Sequence, residues 1–378
     1  MLQFDDGSYQ VSWGSECITL LPKEYVLFHF LFHHRNQAFR REELLDRVWG
    51  LEMPTDRTVD DHVYRLRKKL QAWQHLLAID TVRGFGYRLT WKESRRPNLL
   101  EDNPEFASHA KQLFQTYHGL GMGAAMQTLS ANKDVLGFSI DPFYEVYLRF
   151  VSGDFGWFLK AEDVPLEDRL FYLVHLYLLI EEDKGKAIAL CQKVLSEQEK
   201  LPGLWGVELE INLITLYVTA ERWQEAAVQM EKVEKLVAEI RSHSYTLTYL
   251  FQTIFYLLSK RELSPTREKL EEAKKLLAEK PMQREQGTLL VLEGMLCYLQ
   301  GDRSNARRLL DEGVEVLQET RFVPHYLYAV YKIEHFFRSF SGDSVWQAKY
   351  QKEWARLKEK YQFLTLHRQL EKRLGLQS

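Results

Sequence analysis

Apolar residues recur at helical spacing through residues 56–70, where Val59, Val63, Leu66 and Leu70 fall on one stripe. The spacing predicts a helix that presses this stripe against a core. Thr58, His62, Arg65 and Lys69 share another side, flanked by Arg57, Tyr64 and Lys68. Asp56 stands where a carboxylate can accept from the free N–H groups of the first turn. Upstream, the pattern predicts a helix over residues 22–34 with Val26, Leu27, Phe30 and Leu31 inward, and another over residues 41–49 packing through Leu44, Leu45, Val48 and Trp49. Short alternating runs at residues 2–4, 9–13 and 17–20, broken by Asp6-Gly7 and Trp13-Gly14, predict a small antiparallel sheet. Residues 78–89 alternate around Gly84-Phe85-Gly86 and predict a hairpin with Arg83 at its bend.

Residues 91–104 are polar and mark a boundary. Beyond them helical periodicity is almost unbroken, with three helices predicted at residues 105–117, 124–132 and 142–150. A repeat then emerges. Leu176-Tyr177-Leu178-Leu179, Leu216-Tyr217-Val218-Thr219, Phe255-Tyr256-Leu257-Leu258 and Leu296-Cys297-Tyr298-Leu299 begin about 40 residues apart. Each is followed by a polar turn, such as Gln300-Gly301-Asp302, and then an amphipathic helix. Ala187, Ala226 and Ala306 stand where two helices can approach closely, whereas the third unit has Thr266 or Arg267 there. Residues 326–340 and 344–374 would close the stack. The pattern resembles tetratricopeptide repeats with lengthened helices, though the usual Trp-Leu-Gly-Tyr signature is incomplete. The fold class expected is an α+β winged helix-turn-helix domain over residues 1–92, a linker over 93–104, and an all-α TPR-like helical solenoid over 105–378.

A helix with one buried face and one Arg/Lys/His/Thr face suits the DNA major groove, where cations meet phosphates or guanine edges and smaller polar groups reach bases. The alternative is a solvated surface face. Six ordered segments decide between them: Leu21-Pro22-Lys23-Glu24-Tyr25, Arg41-Glu42-Glu43-Leu44-Leu45, Val48-Trp49-Gly50, Arg57-Thr58-Val59-Asp60, Arg65-Leu66-Arg67-Lys68-Lys69-Leu70 and Thr81-Val82-Arg83-Gly84-Phe85-Gly86-Tyr87-Arg88. Together they resemble the winged-helix DNA-binding domain of OmpR/PhoB-type response regulators. The resemblance implies DNA contacts from Arg57, Thr58, His62, Tyr64, Arg65, Arg67, Lys68, Thr81, Arg83 and Gly84, with the arginines on phosphates or bases and Thr81, Arg83 and Gly84 serving the wing. Lys68 and Lys69 are either phosphate ligands or solvated charges. Tyr64 and Asp61 depart from many relatives and bear on which sequence is read. The loop at Leu51, Glu52, Met53 and Pro54 is either an RNA polymerase contact, as the resemblance implies, or a plain connector. In that family the first sheet follows a phosphorylatable receiver domain. Here the chain begins at the sheet, so control by an aspartyl phosphate on the same chain is not expected. Arg40 stands where the family usually has Ser or Thr, which would weaken the helix cap by ~1 kcal/mol.

The chain's 378 residues predict two or three domains, and 45% hydrophobic content supplies sizeable cores. The net charge of −3 does not announce nucleic-acid binding. A local basic face can still bind, because charges are screened beyond ~8 Å at physiological salt. Cys17, Cys191 and Cys297 are widely spaced and odd in number, which fits a reducing compartment and no metal spacing. The N-terminus is no signal peptide, and no apolar run approaches the ~20 residues that span a bilayer, so a cytoplasmic protein is expected. His29, His33 and His34 include an i, i+4 pair with no carboxylate or thiolate nearby in sequence, and no metal is assigned. No phosphate loop, Gly-x-Ser-x-Gly, His-Glu-x-x-His or Cys-x-x-Cys occurs, so neither enzyme nor cofactor is expected.

Solenoids offer concave surfaces to peptides, and Asn212, Tyr217, Tyr249, Tyr256 and Tyr298 are candidates to line one. The alternative is inter-helix packing for the tyrosines. The sequence therefore points to a bacterial transcription factor, expected to bind double-stranded DNA as a homodimer on repeated half-sites. Its repeat domain is expected to sense a peptide, protein or small ligand, or to mediate dimerisation. Architecturally it resembles regulators that join this winged helix to a tetratricopeptide-like domain, such as the antibiotic regulatory proteins of actinomycetes. The rival reading is an interaction scaffold whose winged helix is a protein-docking module.

Overall fold

The computed structural model describes residues 2–13, 16–49, 56–74, 76–91, 103–161, 164–197, 203–340 and 344–376. The chain divides into two compact units, Met1–Asn98 and Leu99–Ser378. The first unit begins with strands β1 (Gln3–Asp5), β2 (Gln10–Trp13) and β3 (Glu16–Thr19), which form an antiparallel meander. Helix α1 (Pro22–His33), strand β4 (Ala38–Arg40), helix α2 (Arg41–Val48) and helix α3 (Asp56–Lys69) follow. A single 3₁₀ turn, Leu70–Trp73, then leads into the hairpin of β5 (Leu77–Val82) and β6 (Gly86–Trp91).

The sequence pattern contains every α-helix and strand of this unit except β4, which is only three residues long and pairs with β6 through Ala38↔Arg88 and Arg40↔Gly86. That pairing explains Gly86, because a Cβ there would lie 2.0 Å from the Phe39 carbonyl oxygen. The core is the predicted one on α3: Val59, Val63 and Leu66 are fully buried, beside Phe28, Leu31, Leu44 and Trp73. On α1 the inward side is Tyr25, Leu27, Phe28 and Leu31, while Val26 is exposed and Phe30 only half-buried. The expected face was thus rotated by about one position. The α2 cap is half made. Arg40 offers no side-chain acceptor, but Glu43 Oε2 accepts from the Arg40 backbone N–H at 2.7 Å.

Every element of the second unit's described residues is a helix. It runs α4 (Pro104–Gly119), α5 (Gly123–Ala131), α6 (Lys133–Leu136), α7 (Pro142–Val151), α8 (Phe155–Lys160), α9 (Leu166–Ile180) and α10 (Lys184–Ser196). Then come the pairs α11 (Trp205–Thr219) and α12 (Trp223–Ile240), α13 (His243–Ser259) and α14 (Leu263–Glu279), and α15 (Gln283–Leu299) and α16 (Arg303–Glu319). Helices α17 (Val323–Ser339), α18 (Ser344–Lys360) and α19 (Phe363–Arg373) end it. The short helices α6 and α8 carry too few residues to register as a period. The predicted terminal stretch breaks at Gln362, whose φ is +51°.

The pairs repeat one turn geometry. After α11 the Glu221 N–H bonds Val218 O at 3.1 Å and the Arg222 N–H bonds Tyr217 O at 2.9 Å. Arg261 and Glu262 do the same to Leu258 and Leu257, and Gly301 and Asp302 to Tyr298 and Cys297. The left-handed residue is Glu221 (φ +56°), Arg261 (φ +59°) or Gly301 (φ +86°). Ala187, Ala226, Ala306 and Thr266 are all fully buried, and Thr266 bonds its hydroxyl to Glu262 O at 2.6 Å. Between α15 and α16 the backbones come closer still. A Cβ on Gly313 would lie 2.8 Å from Gly287 O, and one on Gly294 would lie 2.8 Å from Leu310 Cγ.

Each first helix also packs on the first helix of the next pair, α11 on α13, α13 on α15 and α15 on α17. The ends meet across this array. Helix α7 packs on α17, and α19 packs on α8 and α9. The Leu120 carbonyl after α4 accepts from Gln283 N at 2.8 Å. The first helices therefore surround a common interior. Glu181, His367 and Glu371 gather at the α9–α19 seam, but His367 turns Nε2 to Glu181 at 2.9 Å and Nδ1 to Glu371 at 3.7 Å. Glu181 Oε2 already accepts from Tyr177 at 2.6 Å, so the cluster clamps two helices.

Candidate nucleic-acid interface

The buried stripe of α3 fixes which side chains face out: Arg57, Asp61, Tyr64, Arg65 and Lys68 are exposed, Tyr64 at 68% of its surface. Thr58 and His62 sit to one flank, half-buried. The His62 ring meets the Trp49 ring edge-on at 5.0 Å, and Nδ1 lies 2.8 Å from Thr58 O. Arg57, Arg65 and Lys68 pair with no other described residue, so their charges face solvent.

Arg67 and Lys69 behave differently. Arg67 Nε donates to Ile79 O at 2.7 Å, its Nη2 donates to the Thr81 hydroxyl at 2.9 Å, and its guanidinium lies 5.6 Å over the Tyr87 ring. Arg67 and Thr81 therefore tie the hairpin to α3 while both side chains stay exposed. Lys69 bonds the buried Glu24 carboxylate at 2.7 Å, so its charge is paired although 35% of the side chain stays exposed. Burial would raise the Glu24 pKa, but the bonds from Lys69 and the Leu21 backbone outweigh it and hold Glu24 below its ordinary value.

A second tie sits where α2, α3 and β6 meet. Asp60 Oδ1 accepts from Arg41 Nε at 2.7 Å and from the Tyr87 hydroxyl at 2.7 Å, and Arg41 lies 5.0 Å over the Tyr87 ring. In the sequence these three residues carry only the family resemblance; in the fold they hold the hairpin against the exposed helix. At the hairpin tip Arg83 is exposed, Gly84 takes φ +71°, and the Arg40 guanidinium lies 5.3 Å over the Phe85 ring. Leu51, Glu52 and Met53 lie outside the described residues. In α1, His33 and His34 place Nδ1 2.9 Å from their own helix carbonyls, His29 O and Phe30 O.

The candidate groove residues of the helical unit divide. Tyr217 is buried, accepts from Gln192 Nε2 at 2.9 Å and carries Arg222 on its ring. Tyr256 is buried beside Trp223, and Tyr298 is buried among Phe336, Phe337 and Trp346 with Arg303 3.5 Å over its ring. Tyr249 is half-buried near Glu234, Lys269 and Glu272. Tyr217, Tyr256 and Tyr298 thus pack in the core, as the alternative had it, while Tyr249 keeps part of its surface. Asn212 instead turns Nδ2 to His175 Nε2 at 2.8 Å, across two first helices.

A helix with an exposed mixed basic face beside a hairpin tip, on a small α+β unit, is the winged helix-turn-helix class. Residues 14–89 match the family described as "Transcriptional regulatory protein, C terminal". Over 90 residues the chain is 42% identical to the phosphate regulon transcriptional regulatory protein PhoB of Escherichia coli K12, covering 24% of this chain and 39% of that protein. Over 89 residues it is 44% identical to the transcriptional regulatory protein VxrB of Vibrio cholerae, covering 23% and 35%. The chain thus spans about two fifths of the curated relatives it matches. Among solved structures, the DNA-binding domain of Bacillus subtilis CssR is 35% identical, with 24% of this chain and all of that one covered and a TM-score of 0.21. The N-terminal region is an OmpR/PhoB-type winged-helix domain.

Proposed function

We propose that the chain is a transcriptional regulator that binds double-stranded DNA through residues 1–92 and is controlled through residues 105–378. The observation that carries this reading is the outward face of α3, where Arg57, Tyr64, Arg65 and Lys68 are exposed opposite a buried apolar stripe. With α3 in the major groove, Arg57, Arg65 and Lys68 meet phosphates, and Arg65 or Tyr64 reaches base edges. Thr58 and His62 approach from the flank, and Arg83 at the Gly84 turn reaches the neighbouring backbone or minor groove. The 42% identity to a transcriptional regulatory protein supports the assignment.

The helical unit is a tetratricopeptide-like solenoid in this reading, supported by the about 40-residue spacing of its first helices and by their shared turn. An effector or a second copy acts there, and Leu51, Glu52 and Met53 are candidates to contact RNA polymerase. The effector shifts the spacing of two winged helices only through unequal affinity for two arrangements. The test is recovery of genomic DNA fragments by the full chain at about physiological salt. A repeated half-site motif, with affinity falling log-linearly with salt, is expected. Recovery without any motif, or salt-independent docking, overturns the reading.

A further inference from the structure

Inside the helical unit, polar side chains of the first helices converge. His175 of α9 meets Asn212 of α11 at 2.8 Å. The Thr215 hydroxyl of α11 donates to Gln252 Oε1 of α13, and Lys332 Nζ of α17 donates to the same oxygen at 2.7 Å. Lys332 also lies 5.0 Å over the Phe255 ring of α13. Toward the other end, Glu208 accepts from the Tyr245 hydroxyl at 3.3 Å, and Arg284 pairs with Glu285 while lying 4.7 Å over the Phe322 ring. The His118 ring stands 4.7 Å from the Tyr147 ring. On α17, His325, Tyr328, Lys332 and His335 fall on one stripe.

Two observations make this cluster a site. The first is space. His325 is solvent-accessible, yet protein surrounds it, and that burial, with the Arg284 and Lys332 cations nearby, holds its pKa well below the ordinary 6.5. Tyr147, Glu208 and Tyr328 are likewise only half-covered while enclosed. Side chains that keep accessible surface in the middle of a helical array line a hollow. The second is charge. Arg284 has Glu285, but Lys332 is 9% exposed and bonds only a neutral amide oxygen and an aromatic face, with no carboxylate among the described residues in pairing reach. An isolated buried ammonium is costly. Burial accordingly lowers the Lys332 pKa to about 7 and that of His175 to about 4.

A rival cleft of about 800 Å³ lies among α5, α7 and α8. Its charges are already matched, Lys133 with Glu145 at 2.8 Å and Arg149 with Asp154 at 2.9 Å. In the central hollow, by contrast, Lys332 is a buried amine with no carboxylate partner among the described residues, which an anionic ligand would supply.

We propose that this hollow binds a small molecule carrying a carboxylate or phosphate, whose anionic group seats against Lys332 and His325. Calling that molecule the effector rests on the regulator reading above; the binding itself does not. An anion there supplies the charge partner that the fold withholds from Lys332, and the His175–Asn212 pair and Tyr147 offer hydrogen bonds to the rest of the molecule.

The test is calorimetric titration of the full chain with citrate and with inorganic phosphate, at ionic strength matched with chloride. At least one should bind the wild-type chain. Lys332→Met should weaken it at least about tenfold and His325→Asn several-fold, with unchanged helical circular dichroism. His325 is accessible, so its variant is expected to fold even where Lys332→Met does not. No binding of either anion overturns the proposal. So does equal affinity in the folded variants, which would place the anion on another surface such as the basic face of α3. DNA recovery is scored separately. Anion binding without DNA binding removes the regulator reading alone, and DNA binding without anion binding removes this one alone.

Discussion

The two units place their polar side chains on opposite sides of their cores. In the winged-helix unit Arg57, Tyr64, Arg65 and Lys68 point outward from a single helix, and the core beneath is wholly apolar at Val59, Val63 and Leu66. In the helical unit the outer helices carry exposed ion pairs such as Arg308–Glu312, while His175, Gln252, Arg284 and Lys332 turn inward. An outward face must match a partner of fixed geometry, so its residues sit within one short stretch. An inward site is assembled from one or two residues per helix over more than half the chain. Both arrangements need close backbone contact somewhere, and that gives the sharpest way to separate them.

Gly86→Ala should have the largest effect. The new Cβ would sit 2.0 Å from the Phe39 carbonyl, so β4 and β6 must part. A loss of about 3 kcal/mol or more from the first unit is expected. Urea unfolding followed by tryptophan fluorescence should show one transition moving while the helical unit's transition stays. Two unmoved transitions would mean that the hairpin accommodates the methyl and the register is looser than described.

Next is the pair Arg65→Ala with Arg83→Ala. Duplex affinity should fall at least ~30-fold, and the slope of log affinity against log salt should shrink by about 2. Arg67→Ala should do something else. It breaks bonds to Ile79 and Thr81, so the first unit should lose about 1 kcal/mol of stability. If Arg67→Ala instead removes affinity with full stability, its side chain leaves the hairpin to meet DNA.

In the helical unit Gly313→Leu would press on Gly287 O and Val291. A loss of about 2 kcal/mol confined to that unit is expected, with duplex affinity unchanged. A concurrent fall in DNA affinity would show that the two units are coupled energetically.

These contrasts explain what was legible in the sequence. The stripe of α3, the hairpin and the family segments lie within single windows, so pattern and spacing reach them. Strand β4 is too short to carry a period, and its role shows only in the crowding at Gly86. The rotation of α1 by one position arose because Tyr25 and Phe28 are large apolar rings that compete with Val26 and Phe30 for the inward side. The 40-residue repeat was readable, yet its shared turn was not, since Glu221 and Arg261 take the left-handed conformation where glycine would have announced it. The interior was nearly silent. Asn212 stood out as polar in an apolar helix; Gln252 and Lys332 break their helices in the same way, but nothing in one dimension says they meet. The tyrosines were ambiguous because a ring can pack with its body and bond with its hydroxyl, as Tyr217 does with Gln192.

The smallest effect tests the tie that positions the hairpin. Asp60 accepts from Arg41 and Tyr87. Burial would raise its pKa, but the bonds from Tyr87 and Arg41 outweigh that and hold it below the ordinary 3.8. A carboxylate whose folded pKa is depressed contributes stability that is complete above the unfolded value. That contribution is lost as pH falls through the folded value, when the carboxylate takes up its proton. The side chain is 45% exposed, so solvent screening limits the charge contribution to about 1 kcal/mol. Asp60→Asn should therefore be less stable than the wild-type first unit by roughly that amount at pH 7, with the gap closing below about pH 4. A gap that persists unchanged at pH 3 would assign the tie to hydrogen-bond geometry alone. In that case Arg41 holds Tyr87 chiefly through its guanidinium on the ring, and Arg41→Lys, which weakens that stacking, should cost more than Asp60→Asn.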